Sequence, residues 1–251
     1  KIIRRLFNFA LERDIIDASP CTMVKAPEVE TKRDRVLIDD EISSFWYCLD
    51  DVSCSSPIKL ALKLILVTAQ RRGEVATAEW SHFDLATGWW TLPAGRSKNK
   101  LSHRVPLSPL ALAILQQLKI YAGDSQYLLP SPRHDKHVTA GALTRAINNN
   151  REAFGIPPFT PHDLRRTAAS QMTSISIPRL VVAKLLHHVE SGVTAVYDRH
   201  SYDSDKRIAL EKWGSRLEGI ICGRSDVIPM VSKQSINHHF QNGCLKLLLT
   251  M

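Results

Sequence analysis

The sequence has no cysteine pair in CxxC spacing, no apolar run long enough to cross a bilayer and no segment resembling a secretory signal. Its five cysteines (Cys21, Cys48, Cys54, Cys222 and Cys244) are scattered, which argues against a disulfide framework and for reduced thiols in a cytoplasm. The pairs His187-His188 and His238-His239 lack a cysteine or carboxylate at ligand spacing, and adjacent residues on a helix point different ways. No metal site and no cofactor are expected. Internal repeats and low-complexity tracts are also absent.

What remains is an ordinary globular composition. A chain of 251 residues with 44% hydrophobic content suffices for one large domain, or one domain and a fragment. Lysine and arginine number 33 against 25 acidic residues, and the resulting net charge of +8 tilts the partner toward a polyanion.

The chain opens at Lys1 inside an amphipathic helical pattern (Ile2, Ile3, Leu6, Phe7, Ala10, Leu11), so residues 1 to 20 read as the end of something larger. Residues 21 to 35 carry charge without periodicity and read as a linker, and the main domain should start near Val36. Asp39 or Asp40 is a candidate cap for a helix through about Leu49. Ser56-Pro57 opens a very apolar second helix that should run directly into Arg71. The stretch from Trp80 to Ser108 alternates short aromatic and β-branched runs with turns, which predicts a three-stranded antiparallel meander with Lys98 in or beside its second turn. Helices are expected over about 109–121, 139–153, 161–175, 178–186, 191–199 and 203–218. The predicted fold is mainly α with a small three-stranded antiparallel sheet. Residues 219–251 form a tail to which the pattern assigns no role.

Thr160-Pro161-His162-Asp163 is a strong helix start, with an N-cap threonine, an N1 proline and an acid at N3 that can bond back to the cap. His162 and Arg165 then share the first turn, where unpaired amides and the helix dipole favour an anion. Arg71, at the end of an apolar helix, suits a fixed phosphate clamp, and two arginines can hold both non-bridging oxygens of a phosphodiester. Glu74 can orient Arg71 by a salt bridge, the plain alternative being a helix-surface pair with Arg72 or Arg71. Lys98 is a candidate proton donor to a leaving oxygen, with Lys100 as its rival. His188 and Tyr197, nine residues apart, complete the set: a tyrosine hydroxyl with a reference pKa of about 10 needs nearby positive charge and a proton acceptor before it can attack.

In order and spacing, TAQRRGEVATAEW, SKNKLSHRVPLS, TPHDLRRTAAS, LLHHVESGVTAVYDR and YDSDKRIALEKW resemble the tyrosine recombinases, or phage integrase family, and specifically their prophage-integrase branch. The resemblance covers residues 36–218 and implies the recombinase catalytic-domain fold. It implies Arg71, Lys98, His162, Arg165, His188 and the nucleophile Tyr197 as catalytic residues, with Glu74 in support. The implied chemistry is DNA cleavage and rejoining through a 3′-phosphotyrosyl link, with no metal or other cofactor, in integration or excision of a prophage or genomic island. Residues 1–20 would then be the truncated end of an N-terminal helical core-binding domain. The implied partners are double-stranded DNA at attachment sites, further copies of the chain in a tetramer, a host DNA-bending protein and an excisionase. The implied place is the bacterial cytoplasm, at the nucleoid and away from membranes. Two positions depart from the family pattern, Ala69 and His187, where glycine is usual. A type IB topoisomerase, a non-catalytic DNA-binding remnant and, more remotely, a phosphatase are the competing readings.

Overall fold

The computed structural model describes residues 2–25, 34–96, 99–132, 136–188 and 200–223. The chain divides into two compact units, residues 1–34 and 35–251. The first contains helix α1 (Ile2–Leu11), none of whose residues is buried within the chain.

The second unit is built around α3 (Ser56–Thr68), in which Ile58 and every residue from Leu60 to Thr68 are buried. A helix apolar on all faces has to be surrounded. Packed against it are α2 (Asp39–Asp51), α4 (Arg72–Ala76), α5 (Pro109–Ala122), α6 (Ala140–Asn149), α7 (Pro161–Ser174) and α9 (Asp203–Ile221); α8 (Arg179–Leu185) packs on α7 and α9. Beside them lies a sheet of order β1-β2-β3, formed by β1 (Phe83–Asp84), β2 (Trp89–Leu92) and β3 (His103–Pro106). Both pairings are antiparallel, with Trp90 opposite Val105 and Leu92 opposite His103, so the predicted meander forms. Along β3, His103 and Val105 point into the core, whereas Arg104 stacks on the Trp89 ring.

Several local expectations fail. Neither Asp39 nor Asp40 caps α2: the N-cap is Ile38, whose backbone N–H donates to Glu41 Oε2 at 3.0 Å, while Arg35 grips the same carboxylate. The apolar helix does not run into Arg71 but stops at Thr68, because Ala69 turns into the left-handed region (φ 56°, ψ 23°) and a short helix starts after Arg71. The helix expected over 139–153 ends at Asn149 and is followed by a 3₁₀ turn, Glu152–Phe154, which closes on Gly155 at φ 62°. The last helix runs to Ile221, three residues past the expected end, and its final carbonyls accept bonds from Ser43 and Tyr47 of α2. Among the described residues Cys21, Cys48 and Cys54 are free thiols. The helix expected over 191–199 and residues 224–251 of the tail lie outside the described residues.

Stopping α3 at Thr68 strands its last carbonyls, since a helix end leaves four without internal partners. The fully buried Trp213 of α9 donates its indole N–H to Leu66 O at 3.0 Å. Trp213→Phe leaves that carbonyl without this donor, at an expected cost of about 2 kcal/mol from the lost bond and more from the smaller ring. A urea midpoint unchanged from the parent protein would show that Leu66 O finds another donor.

Candidate active site

The site forms where four elements meet the C-terminal end of α8. Arg71 is the N-cap of α4, and Glu74, at N3, takes its backbone N–H on Oε2 at 2.8 Å and its Nη1 on Oε1 at 2.6 Å. The other terminal guanidinium nitrogen, Nη2, donates to Leu186 O at 3.3 Å. Arg165 rises from α7 into the same place: Nη1 donates to Ala69 O at 2.8 Å, Nη2 to Leu186 O at 2.5 Å, and Nη1 lies 4.0 Å from Glu74 Oε2. Two guanidinium groups thus converge on one carbonyl and share one carboxylate. Burial lowers the Arg165 pKa to about 10, with the Arg71 charge adding and Glu74 opposing, so Arg165 remains a cation at neutral pH.

The N-terminus of α7 is built as the sequence suggests. Asp163 Oδ2 accepts from the Thr160 backbone N–H at 2.9 Å and from its hydroxyl at 2.8 Å, while Oδ1 binds Arg166. This fixes the first turn and leaves His162 exposed while Arg165 is buried. His188 is also exposed, just past the end of α8, and its backbone N–H donates to Ala183 O at 3.0 Å. Partial desolvation and the charges of Arg165 and Arg71 lower the pKa values of both histidines, with Arg166 adding to the effect at His162. Neutral imidazoles at pH 7 are able to accept or donate a proton. Lys98 and Tyr197 lie outside the described residues. Asn99, next to Lys98 in the β2–β3 connection, donates Nδ2 to His187 O at 2.6 Å.

Three residues that the sequence did not single out complete the neighbourhood. His103 Nε2 bonds Leu185 O at 3.0 Å, and its ring stacks on His187 with centroids 4.4 Å apart. Gln70 donates Nε2 to the same Leu185 carbonyl at 3.1 Å and to Thr68 O at 2.8 Å. Lys206 is buried nearby, bonded to Asp203 and to Arg104 O. A signal for His103 exists in the sequence: in the strand alternation of β3 it falls on the same inward side as Val105. Ala69 and His187, the two departures from glycine, both have positive φ, 56° and 49°. That conformation is the one glycine adopts without cost, so the usual glycines at these positions have a backbone reason.

The model of the phage integrase family matches residues 35–204. The chain belongs to the phage integrase family. As a family member it is 29% identical over 234 residues to prophage integrase IntA of Escherichia coli K12, an alignment covering 92% of this chain and 56% of IntA. It is 26% identical over 230 residues to the integrase of enterobacteria phage P4, covering 84% of this chain and 52% of that protein. The chain therefore spans about half the length of these curated relatives. Its fold is similar to that of a lambda integrase dimer bound to a COC′ core site (TM-score 0.59, 23% identity, 80% of this chain and 57% of that one). It is also similar to the integrase from mycobacterium phage Brujita (TM-score 0.59, 17% identity, 84% and 69%). Family match, curated relatives and fold thus agree: the chain is a phage integrase family member similar to prophage integrases.

Proposed function

We propose that this chain is the catalytic part of a site-specific DNA recombinase that integrates or excises a prophage or genomic island. The observation that carries the reading is the convergence of Arg71 and Arg165 on Leu186 O, with exposed His162 and His188 in the field of both arginines. A phosphodiester brought to this end of α8 meets two fixed cations and two neutral imidazoles.

In the proposed reaction the Tyr197 oxygen attacks phosphorus, the bond to the 5′ oxygen breaks and a 3′-phosphotyrosyl bond forms. His162 accepts the tyrosine proton, and Lys98 donates one to the departing 5′ oxygen. Arg71 and Arg165 bind the non-bridging oxygens and His188 donates to the phosphate, so the charge that builds up on phosphorus is met by groups already in place. Glu74 holds Arg71. Rejoining reverses these steps with the 5′ hydroxyl of a partner strand, and no external energy source is consumed because the phosphoester bond is exchanged.

Residues 36–218 form the catalytic domain in this reading, 21–35 a linker, 1–20 the end of a core-binding domain, and 219–251 a tail without an assigned role. The partners are double-stranded DNA at attachment sites, other copies of the chain in a tetramer, a host DNA-bending protein and an excisionase, acting at the nucleoid in the bacterial cytoplasm. A solved lambda integrase tetramer bound to a Holliday junction, similar in fold to this chain, supports assembly on DNA. Among the described residues no helix is long and apolar enough to cross a membrane.

The test is incubation with nicked duplex carrying the attachment site, followed by denaturing electrophoresis. The chain should form a covalent protein–DNA adduct that Tyr197→Phe abolishes, and Arg165→Ala should slow adduct formation by about 1,000-fold. DNA binding without any adduct would favour the non-catalytic remnant instead.

A further inference from the structure

Five side chains from three parts of the second unit donate to three successive backbone carbonyls at the end of α8. Leu185 O receives His103 and Gln70, Leu186 O receives Arg71 and Arg165, and His187 O receives Asn99. The arginines belong to the proposed phosphate site, whereas His103 and Gln70 are buried and cannot reach a substrate. They bind the carbonyl immediately before the one that the arginines share. His103 also stacks on His187, the residue between Leu186 and His188.

We propose that His103 and Gln70 are positioning residues, which through their shared bond to Leu185 O and the His103–His187 stack hold the end of α8 in register so that His188 faces the phosphate held by Arg71 and Arg165. This inference rests on the recombinase reading. Neither side chain exchanges a proton with the substrate.

The geometry requires a particular form of His103. With a carbonyl oxygen as partner, Nε2 must carry hydrogen, so the ring donates there in the neutral tautomer. Burial, with the neighbouring His187, Lys206 and Arg165, brings its pKa to about 3 and keeps it neutral through the working pH range. Gln70 is fully buried between Ala69 and Arg71, so its amide ties the chain at the first arginine to the same carbonyl. A rotation or slide of the α8 end would therefore break bonds to both the β3 strand and the Arg71 segment before His188 left its place.

The test compares His103→Leu, His103→Gln and Gln70→Met in the full chain. Glutamine places an amide N–H near the position of Nε2, and leucine has no donor. His103→Leu should lower the single-turnover rate of adduct formation on nicked duplex by about 100-fold, a loss typical of displaced catalytic groups. Its affinity for the duplex should stay within about 2-fold, because neither residue is placed to touch DNA. His103→Gln should recover most of the rate, and Gln70→Met should lower it by about 10-fold. A parental rate in a folded His103→Leu protein, or no recovery with glutamine, would overturn the proposal; if the leucine variant does not fold, a parental rate in Gln70→Met does so. Absence of an adduct from the parent protein would overturn the recombinase reading. The positioning claim is then read from the NMR titration of His188, which should shift in Gln70→Met and stay at the parental value in His103→Gln; an unchanged titration in Gln70→Met would reject it.

Discussion

Glu74→Ala is expected to destabilise the protein by about 3 to 5 kcal/mol, the usual penalty for leaving a buried charge uncompensated. Glu74 is 8% exposed and Arg165 4%, so water can solvate neither group well. The carboxylate accepts Nη1 and the backbone N–H of Arg71 and lies 4.0 Å from Arg165 Nη1. Without it, two guanidinium groups face each other across a carbonyl that carries only a partial charge. The melting temperature should fall by roughly 10 °C, and Glu74→Gln, which keeps an acceptor for the Arg71 N–H, should fall by less. Inorganic phosphate should raise the midpoint of the alanine variant more than that of the parent, because an anion at the arginines replaces the lost charge. An alanine variant that melts with the parent would refute this account of the charge balance.

The second large effect is acid destabilisation through His103. Its pKa is about 3 in the folded chain against an ordinary value of 6.5. Below pH 6.5 the unfolded chain takes up a proton that the folded chain refuses, so the stabilisation is complete above 6.5 and declines as the pH falls toward 3. The slope approaches about 1.4 kcal/mol per pH unit, and between about pH 6.5 and 4.5 His103 should account for about 2 to 3 kcal/mol. His162, His187 and His188 are shifted in the same direction and steepen the loss. Urea unfolding at about pH 7.5 and 4.5 measures the total, and His103→Gln should lose less between the two. Equal losses in parent and variant would exclude His103 as the titrating group. The window stays above the range in which the lowered carboxylate of Glu41 takes up its proton.

Much of this site is legible along the chain because its parts carry local signatures. Thr160, Pro161 and Asp163 announce a helix start, and Arg165 follows at a spacing that fixes its face. Arg71 and Glu74 read as a pair, and the pairing is the one observed. The meander is visible from alternating Trp, Thr and Val residues bounded by turns. By contrast, the roles of Gln70 and His103 depend on a carbonyl 115 and 82 residues away, and no local pattern specifies where α8 ends relative to β3. The end of α3 escapes a local reading for a similar reason. Nothing in the residues themselves makes Ala69 left-handed; its carbonyl is held by Arg165 from 96 residues away.

At the end of α8 the acceptors that gather the five donors are all main-chain oxygens. No point substitution at Leu185, Leu186 or His187 deletes a carbonyl, although one can redirect it by changing how the helix ends. The donors have no such protection, since each depends on the identity of one side chain. Sequence drift in this corner of the fold should therefore be lopsided: the helix end can change its side chains and still offer the same three oxygens, while loss of Gln70, Arg71, Asn99, His103 or Arg165 removes a bond that the backbone cannot restore.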